Sequence, residues 1–182
     1  MERLRAPAPA DMNPEQRKFY DDYLVRFGKE PVGPVWVWMT VPALAMAATQ
    51  LGLYVSRDMA LPKRLKEIAI LVTARRWTAQ YEWYAHERMS AAAGVEADII
   101  EAIRHKRRPA FKDAKDDLVF DFATAVMEKG RVDDALYRRA ITDLGDRQVV
   151  ELTTVLGLYA MVSITLNTFE FAIPADAVPL SE

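Results

Sequence analysis

Residues 61–94 read LPKRLKEIAILVTARRWTAQYEWYAHERMSAAAG, and the division of this stretch into elements decides the fold. Lys63 to Arg76 predicts a helix with Pro62 near its first turn. The run Ile68 to Val72 is apolar on every side, as in an element buried all round. Thr78 offers an N-cap for a second helix, Ala79 to Ala93, and Gly94 supplies its stop. The stretch therefore predicts a helical hairpin, and three residues suited to proton chemistry fall inside it: Glu67, Glu82 and His86.

On the second helix, Ala79, Glu82, His86, Met89 and Ala93 form one narrow stripe, while Gln80, Glu87 and Arg88 point elsewhere. Residues four apart have Cβ atoms about 6 Å from each other, so Glu82 and His86 can bond directly or act together on one small molecule. Glu82 lies near the helix start, where the dipole favours its ionised form. A carboxylate and an imidazole one turn apart on an apolar wall suit a proton relay, with Glu67 one helix earlier as a third member. The spacing is also common in surface pairs and in satisfied buried histidines.

Outward from the hairpin the pattern stays helical. Residues 1–12 are rich in Pro and Ala and predict an extended arm, able to lie across a neighbouring subunit. Asn13-Pro14-Glu15 opens a helix carrying Phe19, Tyr23, Leu24 and Phe27, which Gly28 ends. Pro31 to Ser56 holds no charged residue, but Pro31, Pro34, Pro42 and Gln50 oppose one spanning helix, leaving a buried helix from about Pro42 to Tyr54. Before it, the segment around Trp36 and Trp38 either lines a pocket or interface or fills core.

Val95 to Arg104, Ala114 to Lys129 and a helix from Asp133 or Asp134 to about Leu144 follow. After Gly145 a long helix from Asp146 has an uncharged centre between Glu151 and Glu170, which suits a buried or interface helix. Residues 174–182 predict an extended tail. Leu61 to Glu67 is weakly echoed by Leu144 to Glu151, the register differing by one residue, which would imply a pseudo-twofold helical core. The expectation is one all-α domain over residues 1–182.

The formal charge of −2 and pI near 5.8 oppose nucleic-acid and anionic-membrane partners. There is no cysteine, so disulfides and thiolate metal sites are excluded, and the N-terminus lacks the apolar core of a signal peptide. A soluble cytoplasmic protein is expected. No cofactor is predicted, since no phosphate loop, serine elbow or flavin signature occurs. No metal is predicted either: Glu67, Glu82 and His86 could hold one ion, but the spacing is neither the di-iron nor the His-Glu-x-x-His pattern.

Arg64 and Glu67-Ile-Ala-Ile-Leu, then Tyr81-Glu82-Trp83-x-x-His86, a small-residue run and Gly94, resemble the carboxymuconolactone decarboxylase family, which includes the alkylhydroperoxidase D-like proteins. Pro42-Ala-Leu upstream, and Val150-Glu151-Leu, Gly157-x-Tyr159 and Leu166-Asn167-x-Phe169 downstream, extend the resemblance over roughly residues 30 to 172. It implies an alkylhydroperoxidase D-like helical bundle that assembles as a trimer or hexamer. The peroxidase branch carries a Cys-x-x-Cys pair where this chain has Ala79 and Glu82, so thiolate peroxidase chemistry is closed to it. The decarboxylase branch carries the Glu-x-x-x-His that Glu82 and His86 reproduce.

The resemblance implies decarboxylation or isomerisation of a small lactone or carboxylate from aromatic breakdown. Glu82 would orient His86, His86 would pass the proton to or from carbon, and Glu67 would complete the relay. Arg64 could pair with a substrate carboxylate or bridge to Glu67. Trp38, Tyr159 and Asn167 are further candidates for the substrate wall. The competing expectation is an oligomer that binds a small ligand without turning it over.

Overall fold

The computed structural model describes residues 3–4 and 7–181, and the described residues form eight α-helices and no strand. They are α1 (Pro14–Phe27), α2 (Pro34–Trp38), α3 (Pro42–Leu53), α4 (Lys63–Arg76), α5 (Gln80–Ala92), α6 (Ala97–Arg104), α7 (Ala114–Lys129) and α8 (Asp134–Thr168). The helix predicted from Lys63 to Arg76 is α4, and every residue in it from Leu65 to Arg75 is buried. A helix apolar all round needs cover all round, and α5, α6, α7 and α8 supply it. That makes α4 the axis of the bundle, and its residue Glu67 is 2% exposed.

The ends of the helices follow local chemistry. Asn13 and Gln16 form a reciprocal capping box on α1, and Gly28 closes it in the left-handed conformation. Asp113 and Asp133 cap α7 and α8. The first and second halves of α8 are separate in all but name, because Gly145 breaks the helix with φ 77° and ψ 163°. The second half carries Leu152, Val155 and Leu156 into the core against α4. It is long and apolar enough to cross a membrane, yet half of its most apolar window is buried inside the protein.

Two local expectations fail. Thr78 does not cap α5. It adopts φ +47°, an uncommon conformation for a β-branched residue, and its hydroxyl accepts from Arg75 Nη1, so the cap position falls to Ala79 without a side-chain bond. The helix expected to be buried between Pro42 and Tyr54 is α3, but only Ala45 and Ala48 are buried. Leu44, Met46 and Leu51 stand exposed, because α3 covers the bundle with small residues and turns its large ones outward.

Of the predicted arm, residues 1, 2, 5, 6 lie outside the described residues. Arg3 bonds the Thr168 and Phe169 carbonyls of its own chain, and residues 9–11 form a 3-10 turn. The tail behaves as a strap. Gln80 grips the Leu180 backbone at both its N–H and its C=O, while Arg75 and Arg104 hold the Ser181 and Val178 carbonyls.

Candidate active site at the α4–α5 hairpin

The hairpin brings Glu67, Glu82 and His86 together. Glu82 and His86 stand one turn apart on α5, and Glu67 projects from α4 across the helix pair. His86 Nδ1 hydrogen-bonds Glu67 Oε2 at 2.8 Å, and Nε2 stands 3.0 Å from Glu82 Oε1 in an ion pair along the helix. All three side chains are buried. Burial alone pulls an imidazole pKa down; here the hydrogen bonds and charges of the two carboxylates outweigh it and lift His86 to about 9. At neutral pH the ring is an imidazolium between two acids.

The two acids are not equivalent. A cleft of about 440 Å³ is lined by Glu82 and His86 but not by Glu67. Glu67 therefore holds the ring from outside the cleft, while Glu82 and His86 line the space a reactant can occupy. The cleft is bounded by α1, α2, α3, α5 and α8 and opens to solvent beside Lys29 and Arg57. The other hollows on the surface hold none of these three residues, so the side-chain chemistry selects this one.

Tyr159 and Trp38 belong to the same wall. The Tyr159 ring meets His86 edge-on, with centroids 4.9 Å apart and planes at 83°. Burial, and then the negative charges of Glu82 and Glu67, push its phenol pKa up, so it stays protonated. Trp38 donates Nε1–H to Thr165 Oγ1 at 3.2 Å and lines the cleft. The far end of the α5 stripe diverges from this wall, since Met89 is exposed.

Arg64 and Asn167 are elsewhere. Arg64 binds Asp116 through Nε and Nη2, and also reaches Glu96 and the Gly94 carbonyl. It lines a separate hollow, and neither expectation for it holds: it meets no substrate wall, and Glu67 is already taken by His86. A bidentate carboxylate partner is simply the stronger one. Asn167 faces outward and donates to the Trp77 carbonyl at 2.7 Å, fastening the α4–α5 connection.

Sequence reasoning missed Lys29, Thr49 and Arg57, all of which line the cleft. The available signal was that Lys29-Glu30 and Arg57 bracket the uncharged run from Pro31 to Ser56. As to metals, no group of three or more His, Asp or Glu among the described residues is disposed to hold an ion. Glu67 and Glu82 lie on opposite ring nitrogens of His86, where no single ion reaches both through one imidazole.

No family model and no curated protein matches the sequence. Solved structures do match the fold. A peroxidase-related protein of Ralstonia eutropha, described as an alkylhydroperoxidase AhpD core, superposes with a TM-score of 0.74 at 15% identity, over 96% of this chain and 93% of that one. A peroxidase-related protein of Silicibacter gives 0.73 at 16% identity, over 96% and 94%. The debrominase Bmp8, in a cysteine-to-alanine variant complexed with 2,3,4-tribromopyrrole, gives 0.73 at 14% identity, over 96% and 93%. The fold is thus the all-helical, alkylhydroperoxidase D-like one.

Proposed function

We propose that this chain is a carboxymuconolactone decarboxylase-like enzyme without thiol chemistry, decarboxylating or isomerising a small unsaturated carboxylate or lactone. The observation that carries the reading is the His86 ring, hydrogen-bonded to Glu67 on one nitrogen and 3.0 Å from Glu82 on the other, at the wall of a solvent-accessible cleft. One group there can donate a proton and its neighbour can accept one, which a shift of a double bond or the quenching of a carbanion requires. No cysteine is present to act as a nucleophile.

In this reading the roles of the two acids differ from the sequence expectation. Glu67, outside the cleft, orients the ring; Glu82, inside it, exchanges protons. For decarboxylation the bonding pair of the departing carbon dioxide passes into the unsaturated skeleton, His86 Nε2–H protonates the receiving carbon, and Glu82 returns a proton to the imidazole from solvent. For isomerisation Glu82 removes a proton at one carbon and His86 delivers one at another. Trp38 and Tyr159 flank the substrate plane, and the bromopyrrole bound by the debrominase is a planar ring of the size such walls suit.

The bare large side chains of α3 favour a homo-oligomer, which light scattering on the purified protein would test. For the activity itself, small carboxylates and lactones would be screened by thermal shift and the hits followed by mass spectrometry for loss of carbon dioxide or a rearranged product. Turnover that survives both Glu82→Gln and His86→Ala would sink the assignment. The competing reading, a ligand-binding protein without turnover, is supported by the loss of the cysteines and predicts saturable binding with no product from any hit.

A further inference from the structure

Four charged or ionisable-at-neutrality side chains line the cleft among the described residues: Glu82 and His86 at the wall, and Lys29 and Arg57 at the mouth. His86 is shared between Glu82 and Glu67, so the acid–base wall offers no spare positive charge to an anion. Lys29 and Arg57 are exposed, and neither side chain makes an ion pair or hydrogen bond among the described residues. Other cations of the bundle, among them Lys63, Arg76 and Lys106, are also without a carboxylate partner among the described residues; what distinguishes Lys29 and Arg57 is that both line this cleft. Thr49 lines the same cleft, and its Oγ1 is shielded from solvent with no hydrogen-bond partner among the described residues.

We propose that Lys29, Arg57 and Thr49 form an anion-binding mouth that holds a non-reacting carboxylate of the substrate while its planar apolar body lies against Trp38 and Tyr159. This rests on the acid–base reading for what happens at His86, but not for the binding itself. Lys29 comes from the connection after α1 and Arg57 from the turn after α3, two segments that converge because α1 and α3 pack together. Two cations from independent elements, with a hydroxyl nearby, can supply several donors to one carboxylate.

The chemistry also says which carboxylate they hold. A cation gripping the group that departs as carbon dioxide would stabilise charge that vanishes in the transition state, and so would slow the reaction. A cation on a spectator carboxylate binds ground and transition states equally. Lys29 and Arg57 are therefore specificity-determining residues that set KM and leave kcat nearly untouched.

The test uses the whole protein and a pair of probes, benzoate and its uncharged counterpart benzamide, with binding read by ligand-observed NMR and calorimetry. Benzoate is expected to bind at least about tenfold tighter than benzamide at low salt, a preference that shrinks as salt is added. Lys29→Gln with Arg57→Gln should abolish the preference, and Thr49→Val should reduce it; the melting temperature of each variant verifies folding. Equal affinity for the two probes, failure of benzoate to bind, or a double variant that keeps the preference would each overturn the proposal. Carboxylate preference without turnover of any substrate would remove the acid–base reading and leave the mouth intact. Turnover without carboxylate preference would do the reverse.

Discussion

Glu67 and Glu151 are both 2% exposed, both project from core helices, and both follow an arginine by about one turn, yet they do different work. Glu151 is saturated. It accepts from the Ala60 and Leu61 amides, the Tyr54 hydroxyl and Arg147 Nε, which locks the segment entering α4. Burial by itself raises its pKa, but these donors overcome that and hold the acid below its usual range. Glu67 has one donor, the Nδ1 of an imidazole that can give its proton away. A buried carboxylate held by amides and guanidinium is a latch; one held by histidine can take part in proton transfer.

The sharpest way to break that contrast is to remove each charge while keeping shape. Glu67→Gln is expected to lower kcat on an accepted substrate by about 10²-fold or more, because the brace that sets the ring's charge and tautomer is gone. Glu151→Gln should leave kcat within a few-fold of wild type. Steady-state kinetics on both variants decides it, and equal losses would erase the distinction.

The next effect is on stability against pH. His86 has a folded pKa near 9, above its ordinary 6.5, so its stabilisation is complete below about 6.5 and is lost as pH rises through about 9. The loss is on the order of 3 kcal/mol, or roughly 6–12 °C in melting temperature for a domain of this size. Wild type and His86→Gln melted across that range should converge at alkaline pH. Parallel curves would mean that the imidazole is not charged in the fold.

Smaller is the cost of loosening the latch. Glu151→Gln turns one acceptor oxygen into an amide facing donors, which costs about 1–3 kcal/mol and shows as an earlier chemical-denaturation midpoint. Smallest is Arg64→Lys, which keeps the charge beside buried Asp116 but loses the two-pronged contact, about 1 kcal/mol. KM should not move in that variant. A raised KM would return Arg64 to the substrate wall.

Much of this was legible in residues 61–94. The span of α4 followed from its apolar run and Pro62, and the pairing of Glu82 with His86 followed from helical spacing alone. Glu67 was recognised as a partner, but its position behind the ring depends on how α4 lies against α5. Arg64 misled because its partner Asp116 lies 52 residues away, and a local pattern cannot show which distant acid arrives. Thr78 misled because Arg75 competes for its hydroxyl. The exposure of α3 could not be read from its composition, since an apolar helix looks the same whichever side is covered.

The sequence by itself determined the helices, most of their ends, the absence of a thiol and one carboxylate–imidazole pair, because each depends on contacts within a few residues of chain. Tertiary structure alone decided that Glu82 rather than Glu67 faces the cleft, and that Lys29, Thr49 and Arg57 line it. Those facts depend on the packing of whole helices, whose relative positions are fixed by burial summed over many side chains and not by any one of them.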